Sequence, residues 1–171
     1  GEASFSLTGE SATYTVCVWA PYDGAPSATD WPVPPRVVLS WTDPALPPLG
    51  NPATSDLVND LDLAVLDADS GLPVALGNAE VNPALVGNPG RTSPSSQPDT
   101  TSNLEVAYLR AGTAADPVVG RRLVVQVTAT RIIVAPQRFA LVLAGGLGVC
   151  NPSAIDRCEA TNGTSPTPAP T

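Results

Sequence analysis

The sequence predicts an all-β fold: an antiparallel β-sandwich of jelly-roll type with about eight strands. Three observations lead there. Twenty Pro and 14 Gly in 171 residues, with only 14% charged residues, interrupt the chain too often for long helices. Short runs alternate apolar and polar residues, the period of a half-buried strand. No segment longer than a turn keeps a helical period.

The elements follow in order. Gly1–Ser11 is a polar arm with Phe5 and Leu7 at alternate positions, so it reads as a loose or edge strand. Ala12–Ala20 alternates as a half-buried strand. Tyr22–Pro35 is a Pro/Gly/Asp loop carrying Trp31. Arg36–Trp41 is a β-branched strand stopped by Thr42-Asp43-Pro44, with Asp43 expected to cap its own turn. Ala45–Ser55 is a Pro-rich loop. Leu61–Leu66 is the next strand, Asp67–Gly71 its turn, and Pro73–Leu76 the returning arm of a hairpin. Asn78–Thr101 is long, polar and rich in Pro, Ser and Asn, the kind of connection that is usually functional or partly disordered. Strand character returns at Leu104–Leu109, Leu123–Thr130, Ile132–Val134 and Phe139–Ala144. The expected core is Val16, Val18, Val38, Trp41, Leu61, Leu63, Val65, Val124, Val127, Leu141 and Leu143.

A single sandwich is expected over residues 12–149, after the 1–11 arm. Residues 150–158 read as a loop closed by a Cys150–Cys158 disulfide, which leaves Cys17 over, as a small buried hydrophobe or, alternatively, an intermolecular link. Residues 159–171 form a Pro/Thr/Ser-rich tail that cannot pack a core. Asn162-Gly163-Thr164 is an N-glycosylation acceptor. The Ser165-Pro166 and Thr167-Pro168 units resemble the hydroxyproline-rich stalks of plant and algal extracellular glycoproteins, which makes Ser165 and Thr167 candidate glycan carriers. The tail, the cysteines and the lack of methionine point to a mature piece of a secreted, extracellular protein. A net charge of −8 opposes nucleic acid and anionic lipid and favours cations. No apolar run is long enough to enter a bilayer as a helix.

Asp60 and Asp62 stand two apart in a strand, so both carboxylates leave one face, roughly 7 Å apart. Paired carboxylates repel unless water, arginine or a metal compensates, and calcium gathers such oxygens. A second acidic-amide group follows in Asp99, Asn103 and Glu105. Asp67-Ala68-Asp69-Ser70-Gly71 imitates the start of an EF-hand loop, but Asn78 stands at the twelfth position and no helices flank it, so it reads as a turn.

Ser40-Trp41-Thr42-Asp43-Pro44, followed by Leu57-Val58-Asn59-Asp60-Leu61-Asp62-Leu63, resembles the C-terminal jelly-roll domain of subtilisin-like serine proteases. Phe139-Ala140-Leu141-Val142-Leu143-Ala144-Gly145-Gly146 is similar to the way that domain closes. The likeness spans Thr13 to Leu147. It implies calcium at one sheet edge, with Asn59, Asp60, Asp62, Asn103 and Glu105 as the ligand set. It concerns the accessory domain, not the catalytic one. The chain contains no histidine, so no Ser-His-Asp triad can operate and no enzyme activity is expected.

Three functions are then expected, in descending order. The first is a calcium-stabilised structural or interaction module that self-assembles into a filament by donating its N-terminal strand. The second is an accessory domain of a subtilisin-like protease. The third is a carbohydrate-binding module using Trp31 and Tyr22.

Overall fold

The computed structural model describes residues 3–18, 35–45, 57–78, 99–109, 112–113, 116–117 and 122–149. Within them the chain is all-β: β1 Ala3–Phe5, β2 Ser11–Val18, β3 Arg36–Trp41, β4 Asp60–Asp67, β5 Pro73–Leu76, β6 Leu104–Tyr108, β7 Gly112–Thr113, β8 Asp116–Pro117, β9 Arg122–Arg131, β10 Gln137–Ala144 and β11 Leu147–Val149. One sheet has the order β1-β10-β3-β6 and the other β11-β2-β9-β4-β5, while β7 and β8 form a small ribbon. Every strand pair is antiparallel. From β1 to β4 successive strands fall in alternate sheets. β5 stays beside β4 as a hairpin, β6 belongs to the first sheet, β9 to the second and β10 to the first. That is the jelly-roll order expected from the sequence. Among the described residues no helix is long and apolar enough to cross a membrane.

The core lies between the sheets, where alternate residues of each strand meet. Leu61, Leu63 and Val65 of β4 face Val37, Leu39 and Trp41 of β3 and their neighbours. Two expected core positions are corrected by one residue. Val37 and Leu39, not Val38, and Leu123 and Val125, not Val124, are buried. Trp41 and Val127, both rightly placed inside, fix the parity of their strands, and Val38 and Val124 have the opposite parity. Leu141 and Leu143 pack against the core only partly buried.

The sequence expected a strand at Ile132–Val134. Instead β9 runs on to Arg131, and the chain bends with Ile133 and Val134 66% and 47% exposed. Their N–H groups are held by a side chain, as described below. Beside this bend, β1 pairs with the start of β10 in its own sheet, and Phe5 is buried against Phe139 with ring centroids 5.1 Å apart. The arm is therefore an edge strand already seated at home.

Cys17 is disulfide-bonded, which corrects its reading as a left-over thiol. The chain's other cysteines are Cys150 and Cys158, expected above to pair with each other. Both lie outside the described residues. Gly148 of β11 stands opposite Cys17, and β11 leads directly into Cys150.

Candidate functional site

Asp43 organises the entry to β4. Its carboxylate, expected to cap its own turn, accepts the backbone N–H groups of Val58 and Asn59, at 2.8 Å each. The indole N–H of Trp41 donates to the Asn59 carbonyl at 3.1 Å. The Trp-Thr-Asp-Pro and Val-Asn-Asp segments thus grip each other.

Asn59 is wholly buried. Its amide N–H2 donates to the Val134 carbonyl and to Gln137 Oε1, and its Oδ1 accepts from the N–H groups of Ile133 and Val134. It therefore serves as the brace of the β9–β10 turn, with its oxygen fully used. Asn59→Ala should cost on the order of 3 kcal/mol, because it strands several buried partners at once; urea denaturation measures the loss. Asn103 is occupied likewise. Its Nδ2 donates to the Trp41 carbonyl at 3.0 Å, and its own carbonyl accepts from Trp41 N–H at 3.1 Å.

The three acids behave differently. Asp60 is 3% exposed and Glu105 1% exposed. Asp62 accepts Thr130 Oγ1 at Oδ2. Glu105 Oε2 accepts the Leu63 N–H at 2.7 Å. One oxygen of each carboxylate (Asp60 Oδ1, Asp62 Oδ1 and Glu105 Oε1) is buried and has no hydrogen-bond partner. Burial above all raises the carboxyls of Asp60 and Asp62 above the usual range; at Asp60 repulsion from Asp62 adds to it and Arg131 partly relieves it, while at Asp62 the Thr130 hydroxyl opposes it and Asp99 adds repulsion. Glu105 is pushed up to about 9, chiefly by burial, against the opposing Leu63 hydrogen bond and with added repulsion from Asp62, Asp99 and Asp60.

The backbone explains how Glu105 reaches the other sheet. Leu63 accepts from Gly77 N–H at 2.8 Å, and its own N–H goes to the Glu105 carboxyl. The side chain of β6 thereby takes a ladder position where β5 ends. A Cβ on Gly77 would stand 2.1 Å from Glu105 Oε2, so only glycine admits the carboxyl there. Next to it Asn78, at φ 49°, seals the edge of β6. It donates from its backbone N–H to Val106 O and from Nδ2 to Leu104 O, and its Oδ1 accepts from Val106 N–H. Asn78 Nδ2 also donates to Asp99 Oδ2 at 2.8 Å. Hydrogen bonds from Asn78, Thr101 and Ser102 outweigh burial and hold Asp99 down at about 2. Asp99, singled out in the sequence but left out of the ligand set, is thus the fixed negative charge of this edge.

A cleft of about 220 Å3 opens here, lined by Asp62, Leu63, Ala64, Leu76, Gly77, Glu105 and Thr128. In donor chemistry the three unpartnered carboxylate oxygens fit a hard cation. Among the described residues, no group of three His, Cys, Asp or Glu side chains is gathered closely enough to hold a metal ion. Of the expected ligand set the structure brings Asp62 and Glu105 to one cleft, with Asp60 electrostatically coupled to both, and assigns Asn59 and Asn103 to bracing. The Asp67 turn is as expected, its carboxylate accepting from the N–H groups of Asp69 and Ser70. Trp31, Tyr22, Asn162, Ser165 and Thr167 lie outside the described residues.

No family model matches the chain. Over 118 residues, 67% of its length, it is 32% identical to the serine protease/ABC transporter B family protein tagB of Dictyostelium discoideum. The chain spans about 5% of that protein's length.

Proposed function

We propose that this chain is a non-catalytic, secreted accessory module of a subtilisin-type serine protease, and that its acid edge is a cation site that stabilises the sandwich. The three buried carboxylate oxygens without partners carry the cation reading, since leaving such groups unpaired costs a fold dearly. The likeness to a Dictyostelium serine protease/ABC transporter protein supports the protease association. Calcium is the inorganic ion this chemistry suits, and Asp60, Asp62 and Glu105 would hold it. When bound it would supply the positive charge that lets these buried carboxyls ionise together.

The test is a melting curve at pH 8 with calcium and with chelator. At calcium a hundredfold above its Kd, mass action adds about 2.7 kcal/mol, or several degrees. Asp62→Asn should melt at the same temperature in both. Identical wild-type curves would remove the cation reading. For the protease association, the encoding gene decides: a His-containing subtilisin-type catalytic region in the same polypeptide supports it, and a short precursor without one refutes it.

A further inference from the structure

The Asp62–Glu105 cleft has a shape that a bare metal ion does not use. Leu63, Ala64 and Leu76 give it apolar walls, while Asp62 and Glu105 contribute one unpartnered, buried oxygen each. We infer that this cleft takes a primary alkylammonium group, as on a lysine side chain of another protein, in competition with the inorganic cation proposed above. The inference deepens that cation reading and rests on it.

The number and placement of free oxygens select the ligand. Asp62 Oδ2 is already bound to Thr130, and Glu105 Oε2 to the Leu63 N–H. Neither carboxylate can present two oxygens side by side, which is what a guanidinium fork needs. Two single oxygens on separate strands, in a cleft that Thr128 also lines, instead match the diverging N–H donors of an ammonium. The walls suit its methylene stem, which covers apolar surface while the charged head finds acceptors. The chain contains no lysine, so the group must come from outside these 171 residues.

The experiment follows melting of the whole chain at pH 8 in chelator, titrated with n-pentylamine or with Nα-acetyl-lysine N-methylamide, and with 1-pentanol as the uncharged control. A saturable upward shift with an amine, none with pentanol, and competition by calcium are expected. Glu105→Gln, which keeps the fold, should weaken the apparent affinity roughly tenfold or more. A shift from both amines, or from only one, supports the alkylammonium site and tells a chain lysine from a free amine. Stabilisation by calcium alone would overturn this inference and leave the cation site standing. Equal shifts in Glu105→Gln or with pentanol would overturn it as non-specific, and no response to any cation would remove both.

Discussion

Glu105→Gln should melt higher than the wild type at pH 8 in chelator, by roughly 10 °C. In the unfolded chain this carboxyl has a pKa of 4.5, and in the fold it is pushed up to about 9. Between those values the folded state holds the extra proton, so stability is fully present below about pH 4.5 and falls as pH rises toward 9. At pH 8 the cost of ionisation or its avoidance is on the order of 5 kcal/mol. The raised carboxyls of Asp60 and Asp62 slope the same way. Asp99, held at about 2, slopes the opposite way and costs stability only as pH falls below its unfolded value of 3.8. A glutamine keeps an oxygen for the Leu63 N–H and brings no charge. Its melting temperature should fall less steeply from pH 5 to 8 than the wild type's, and calcium should not raise it. A variant that keeps the wild-type pH slope would show that Glu105 is not the group responsible.

Gly77→Ala should be among the most damaging single substitutions in the chain, costing upwards of about 3 kcal/mol. The added methyl would stand 2.1 Å from Glu105 Oε2, 2.8 Å from its Cδ and 2.9 Å from its Cβ, so the whole side chain must leave. Its departure also strands the Leu63 N–H. Gly77 is not among the residues with positive φ, so the cost is steric and specific to Glu105. In the double variant Gly77→Ala/Glu105→Ala much of the loss should therefore return. Strict additivity in urea denaturation would place the strain elsewhere.

The jelly roll was legible in the sequence because its strands are short, alternating and bounded by Pro and Gly. The Leu61, Leu63 and Val65 stripe is buried as its period dictates. Parity failed at Val38 and Val124 because both strands are β-branched on both faces, so composition alone does not mark the inner one. The β10 outer face even carries Val142 opposite Val38. The acids at Asp60, Asp62 and Glu105 were legible as a group, since paired carboxylates two apart invite compensation. The tasks of Asn59 and Asn103 were not, because an amide that braces backbone and an amide that binds a metal look alike in one dimension. Gly77 and Asn78 were missed for a related reason. Their role appears only where β5 gives way to β6 and Glu105 fills the gap. The Cys17 bridge was missed because nothing in the spacing of the cysteines marks it.

Calcium titrated by isothermal calorimetry into the chelator-treated chain at pH 8 tests the cation site most directly. One saturable site is expected, with a heat that depends on the buffer because binding must release the proton held by Glu105. Both features should vanish in Glu105→Gln and Asp62→Asn. No saturable heat in the wild type, or an unchanged isotherm in both variants, would contradict the assignment of this edge as a cation site.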